Sequence, residues 1–136
     1  MRLEHINLIV KDIDKSLKFY QASFPHWCIR AKGEMNWHGV NRNWLHFGDD
    51  YNYIAFNDKG TGINRNLKGA SVGLAHFAYV INDIKALENR LNQTGFQAAK
   101  AGPENQYRKN LYYIDPDDYE VEFVQYHSDL PQQRNN

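Results

Sequence analysis

Cysteine is all but missing from this chain: Cys28 is the single one in 136 residues, which excludes an internal disulfide. An excess of charge is missing too. Sixteen Lys and Arg balance sixteen Asp and Glu, so nothing points to a nucleic-acid or anionic-membrane partner. No apolar run approaches the roughly 20 residues needed to span a bilayer. The opening MRLEHINLIV carries Glu4 and is followed by Lys11, unlike a signal peptide. These absences lead us to expect a soluble, cytoplasmic protein with no membrane or nucleic-acid partner. What the chain does have is aromatic residues: nine Tyr, seven Phe and three Trp. They suit a lined ligand pocket and equally an ordinary aromatic core. The length is that of one domain able to bury one core.

The chain is written twice. His5 and His76 lie 71 positions apart, as do Asp12 and Asp83, Ile13 and Ile84, and Tyr20 and Leu91. Both copies open on period-two alternation, the mark of a strand. Ile6, Leu8 and Val10 oppose His5, Asn7 and Ile9; Ala75, Phe77, Tyr79 and Ile81 oppose Leu74, His76, Ala78 and Val80. Each histidine therefore stands on the face opposite the apolar row.

A helix-start signal follows each strand, with Asp12 and Asn82 as caps. Ile13, Leu17, Tyr20 and Phe24 form one helical stripe, and Ile84, Leu87 and Leu91 the other. Pro25 closes the first helix, and Gly95 sits where the second ends in a left-handed cap. Three strands are expected after each helix: Trp27 to Trp37, Asn43 to Phe47 and Tyr51 to Phe56, then Phe96 to Ala101, Asn110 to Ile114 and Tyr119 to Tyr126. Gly48-Asp49-Asp50 and Asp115-Pro116-Asp117-Asp118 supply the last turns. The stretch from Asn57 to Ser71, with glycine at 60, 62 and 69, reads as a linker. Module 1 is thus about 1–57, the linker about 58–71, module 2 about 72–127, and 128–136 a polar tail expected to fray. The fold expected is α+β, two βαβββ modules forming a curved, partly closed mixed sheet with helices outside and a cleft on the opposite face.

On that cleft face His5 and His76 hold equivalent places. In the last strand Val121 and Phe123 face the helix, which turns Glu122 to the cleft. Two imidazoles and a carboxylate on one wall suit a divalent ion (Zn, Fe, Mn, Ni or Co) with positions left open for a substrate. The plainer alternative is two structural histidines and the outward carboxylate of an alternating strand.

MRLEHINLIVKDIDKSLKFYQ resembles the opening of bacterial glyoxalase I and its relatives: a strand with His, then an Asp-capped helix ending in Phe-Tyr. GLAHFAYVINDIKALENRL resembles the second-module opening of the same group, and YYIDPDDYEVEFVQ its closing hairpin. The ordered trio covers about half of the chain and resembles the vicinal oxygen chelate superfamily of glyoxalase I, bleomycin-resistance proteins and extradiol dioxygenases. The resemblance implies a glyoxalase-like fold, a small-molecule substrate, a homodimer and His5, His76 and Glu122 as metal ligands. Exposed sheet edges in a small chain also favour pairing.

The family pattern is broken at one place. Aligning Ile54-Ala55-Phe56 on Val121-Glu122-Phe123 puts Ala55 where glyoxalase I proteins carry a fourth ligand that also serves as the base. Alanine neither binds metal nor moves a proton, which speaks against classical lactoylglutathione lyase activity. Tyr53 on the same face is a weak substitute, tyrosine being a poor base near neutrality. Extradiol dioxygenases resemble the chain in their two-His-one-Glu set, and Tyr112 resembles a tyrosine they keep near the substrate. Fosfomycin-modifying transferases share the three ligands, but Asn7 stands where some of them have threonine.

Duplicate alignment also pairs His46 with Tyr112 on the cleft side. His46 is the candidate general base or substrate hydrogen-bond donor, with a solvated sheet histidine as the alternative; Tyr112 is the candidate pocket residue beside it. Glu120 shares the face of Glu122 and either orients a ligand or sits at the rim in water. Arg30, Lys32 and Arg108 are candidates for holding an anion, or ordinary surface charges. Trp37, Trp44 and Tyr53 line a pocket or a core; His26, His38 and His127 receive no role. Asp118 replaces the usual turn glycine and tolerates left-handed backbone. The reading is a small divalent-metal enzyme of lyase, isomerase, dioxygenase or transferase type. The alternative is a metal-free drug-binding protein of bleomycin-resistance type.

Overall fold

A computed structural model describes residues 1–135. The elements run β1 (His5–Ile9), α1 (Ile13–Ser23), β2 (Cys28–Trp37), β3 (Val40–Gly48), β4 (Tyr53–Asn57), β5 (Phe77–Val80), α2 (Ile84–Gln93), β6 (Lys100–Ala101), β7 (Arg108–Ile114), β8 (Glu120–Tyr126) and α3 (Pro131–Arg134). Contacts divide the chain into two compact units, Met1–Gly62 and a second beginning at Ile63. The α+β class and the doubled βαβββ order are as the sequence implied. Each module has a four-stranded mixed sheet of its own, ordered β1-β4-β3-β2 and β5-β8-β7-β6, and neither sheet is closed.

In module 1, β1 runs parallel to β4, and β4, β3 and β2 follow antiparallel. Alternation sorts the faces. Leu8, Val10, Leu45, Phe47, Ile54 and Phe56 are buried with Leu17, Tyr20 and Phe24 of α1 and its end. Ser16, Phe19 and Ser23 join that buried side, whereas Ile13, expected on the stripe, is half-buried. The Asp12 carboxylate caps α1 by accepting from the Asp14 and Lys15 amides at 3.0 and 3.2 Å, a contact of the kind worth about 1 kcal/mol. The β2–β3 hairpin turns through His38 and Gly39 at φ 52° and 80°. Positive φ at both central residues is the type I′ turn whose twist suits a hairpin. Gly48 is required by close approach: a Cβ there would lie 2.1 Å from the Asn52 carbonyl oxygen.

Module 2 repeats the plan with shorter strands. Its core joins Ile84, Leu87 and Leu91 of α2 to Leu111, Tyr113, Val121 and Phe123. Several boundaries differ from expectation. The cap of α2 is Asp83, accepting from the Ala86 amide at 2.9 Å, not Asn82. The strand expected from Phe96 shrinks to Lys100–Ala101, because the Phe96 amide is taken by the Leu91 carbonyl of the helix end. β5 begins at Phe77, so His76 immediately precedes its strand, while His5 is the first residue of β1. Gly95 has φ 90° after the helix and Asp118 has φ 64° in the closing turn, as their roles demanded. The tail is not simply frayed: α3 returns to β8, with the Arg134 guanidinium 4.1 Å over the Tyr126 ring.

Candidate active site

The open face of module 2 is acidic and tightly bonded. β8 carries Glu120 and Glu122 two residues apart on one face. His76, at the mouth of β5, places Nε2 3.2 Å from Glu122 Oε2 and Nδ1 3.7 Å from Glu120 Oε1. The neighbouring strand β7 contributes Tyr112, directly opposite Glu122 in the register. The Tyr112 hydroxyl donates to Glu122 Oε1 at 3.0 Å, and the Asn110 amide donates to the same oxygen. Lys100 of β6, opposite Tyr112, bonds Glu120 at 2.9 Å and sits 4.6 Å over the Tyr112 ring.

The energetics follow from burial. Glu122 is only 9% exposed, so its charge depends on those donors for the solvation it has lost. Burial first, then the bond to Glu122 and the charges of Glu122 and Glu120, push the Tyr112 phenol up from its ordinary value against the pull of Arg108. Tyr112 thus stays protonated near neutral pH and acts as a donor.

The same positions in module 1 hold different chemistry. Asn7 pairs with Ala55 and His46 pairs with Ala55 across the sheet, just as Ala78 and Tyr112 pair with Glu122. Register therefore places Ala55 at the Glu122 position and His46 at the Tyr112 position. Around Ala55 stand rings instead of carboxylates. His5 stacks on Tyr53 with centroids 4.6 Å apart and planes at 13°, His46 lies 4.6 Å from Tyr53, and Trp44 lies 4.9 Å from His46. His5 Nδ1 meets Glu4 Oε2 at 2.9 Å. Burial, then the nearby His5 and Arg30, hold the His46 imidazole below its ordinary value, with Glu4 pulling the other way.

Of the residues singled out in the sequence, the structure joins His76, Glu122, Tyr112 and Glu120 in module 2, and His5, His46 and Tyr53 in module 1. Among the described residues no group of three or more His, Cys, Asp or Glu is drawn together closely enough to hold a metal ion. Arg108 is turned to the Arg134 carbonyl at 3.2 Å. Lys32 lines a groove of about 680 Å³ on the α1 side with Lys11 and Asp14. Asn110 and Lys100 escaped the sequence reading. Asn110 lies two residues before Tyr112 on one strand face, and that spacing was the available signal.

The family model described as Glyoxalase/Bleomycin resistance protein/Dioxygenase superfamily matches residues 2–123. The chain belongs to this superfamily. A lactoylglutathione lyase of Schizosaccharomyces pombe is 27% identical over 143 aligned positions, covering 90% of this chain and 47% of that protein. The chain spans about half the length of this curated relative. Among solved structures, a glyoxalase family protein from Bacillus cereus superposes with TM-score 0.76 at 9% identity, covering 94% of this chain and 95% of that one. A mutant of the fosfomycin resistance protein FosX from Listeria monocytogenes, complexed with Mn(II) and 1S,2S-dihydroxypropylphosphonic acid, gives TM-score 0.73 at 20% identity over 99% and 98% of the two chains. At these identities the solved structures speak for the fold. No helix among the described residues is long and apolar enough to cross a membrane.

Proposed function

We propose that this protein is a divalent-metal-dependent enzyme acting on a small substrate that chelates the ion through neighbouring oxygens. The observation that carries the reading is the state of Glu122. Oε1 is occupied by Tyr112 and Asn110, and Oε2 is presented to His76 Nε2 at 3.2 Å. A carboxylate oriented by two donors beside an imidazole supports the reading of this pair as metal ligands, since such ligands are commonly held by supporting hydrogen bonds. By its duplicate position in the sequence, His5 is the third donor we propose. Imidazole nitrogen and carboxylate oxygen suit Fe, Zn, Ni, Mn or Co. An ion held there would stabilise charge developing on a chelated substrate oxygen.

The chain's own residues divide the remaining work. Tyr112 holds Glu122 in one orientation and presents its ring to the same face. His46, kept neutral by its surroundings, accepts a proton from the substrate or donates a hydrogen bond to it. Ala55 supplies no carboxylate, so His46 is the candidate proton carrier on the module 1 wall. The relative from S. pombe supports a lyase or isomerase reaction, but Ala55 argues against the classical lactoylglutathione lyase step; a dioxygenase reaction is the other member of this reading. The test is metal uptake. Untagged protein stripped with chelator, incubated in turn with Mn, Fe(II), Co, Ni and Zn and then desalted, is expected to retain roughly one ion per chain. Retention of none of them overturns the proposal and leaves a metal-free binding protein of bleomycin-resistance type.

Homodimer formation belongs to the same reading. β1 and β2 end one sheet and β5 and β6 the other, and an uncovered edge offers unpaired backbone groups to another chain. Light scattering at micromolar concentration is expected to give twice the 16.0 kDa chain mass; a mass of one chain would count against pairing.

A further inference from the structure

We infer that the open face of module 1 is a carboxylate-binding wall, with Arg30 as the anchor and the rings beside it as the platform for a planar ligand body. Strand β2 keeps register with β3 from Trp37 back to Ala31, which pairs with His46, and then shifts so that Ile29 pairs with Phe47. Arg30 is the extra residue of this bulge, and a bulge re-aims the side chain it carries. Here the guanidinium lies 4.7 Å over the Tyr53 ring, on the face of His46 and His5. Among the described residues no carboxylate lies within ion-pair distance of Arg30.

The central strand of module 2 carries Glu120 and Glu122 on the open face, and the cation beside them, Lys100, is spent on Glu120. Module 1 has Tyr53 and Ala55 on the same face of its central strand. The acid that reaches this wall is Glu4, which is bonded to His5. The central strand of this wall therefore carries no carboxylate on the open face, and a cation lies over its ring. A planar guanidinium offers paired N–H donors that match a carboxylate's two oxygens. Half-exposed Trp44 and His46, 4.9 Å apart, extend the surface in aromatic faces. An aromatic carboxylate matches both features. The inference rests on the proposed function only in treating this ligand as the substrate; the binding itself draws on module 1 alone.

The experiment uses the full chain stripped of metal, with benzoate as the probe, followed by NMR shifts of the histidine and indole resonances. Acetate, which lacks the ring, and benzyl alcohol, which lacks the charge, are the comparison ligands. Benzoate is expected to bind saturably and about tenfold or more tighter than either, with Arg30→Gln lowering its affinity to that of benzyl alcohol and Arg30→Lys falling between. Arg30 is exposed on an edge strand, so these variants retain the fold. No saturable benzoate binding, acetate binding as tightly, or unchanged affinity in Arg30→Gln would each overturn the inference. Metal uptake by the wild type is read separately, so a failure there sinks the metal reading without touching this result.

Discussion

Glu122→Gln is expected to abolish useful metal binding, weakening the affinity of the stripped protein for its preferred ion by at least about 100-fold. Changes to residues that merely orient a ligand cost about 10–100-fold, so losing the ligand's charge costs more. Glutamine is the informative substitution because it has nearly the same shape. Its amide carbonyl can still accept from the Tyr112 hydroxyl and the Asn110 amide, so neither donor is orphaned. Alanine at the same place would leave both donors without their acceptor and mix a folding defect into the result. Competition against a chelator of known affinity measures the loss. A second readout follows from linkage: an ion at about 100 times its dissociation constant stabilises the wild type by about 2.7 kcal/mol, and should scarcely move the variant. If Glu122→Gln binds within tenfold of the wild type, the carboxylate is not a ligand and the proposed site is wrong.

The doubling that makes this prediction specific was legible in residue order alone. A constant offset of 71 between the two openings placed both histidines, and the strand registers of the two sheets independently pair His46 with Tyr112 and Ala55 with Glu122 as equivalent positions. Alternation predicted the faces because a strand has only two. Leu8 and Val10 are buried while Asn7 and Ile9 are exposed, and β5 divides the same way.

What escaped was set by choices that sequence pattern leaves degenerate. Asn82 and Asp83 are both competent caps, and only the extended backbone at Asp83 decides between them. The length of β6 depended on which carbonyl the Phe96 amide would take, a competition between helix end and sheet. The bulge at Arg30 is invisible to a period-two reading, because it inserts one residue and reverses the phase behind it. Arg30 was one of three basic residues the sequence could not rank; Lys32 lines the groove on the α1 side, and Arg108 is bonded to the Arg134 carbonyl.

Phe123→Ala is expected to lower the unfolding free energy by about 3–5 kcal/mol, the range for truncating a fully buried phenylalanine. The ring is completely enclosed, 5.9 Å from Tyr113 and 6.4 Å from Tyr79, and its strand neighbours are Leu111 and Tyr79. Urea denaturation of the metal-free protein measures the cost directly. The consequence reaches the site because Phe123 follows Glu122 on β8: the side chain that anchors the strand from below is next to the one that presents oxygens above. A residue turned to the helix thereby holds the register that brings Tyr112 opposite Glu122. If the truncated protein binds an ion at all, saturating metal should recover part of the lost stability, since the ion favours the folded chain. A loss below about 0.5 kcal/mol, the scale of a surface substitution, would mean that β8 does not hold Phe123 in the core. The orientation of Glu122 on the opposite face would fall with it, since both follow from the same alternation.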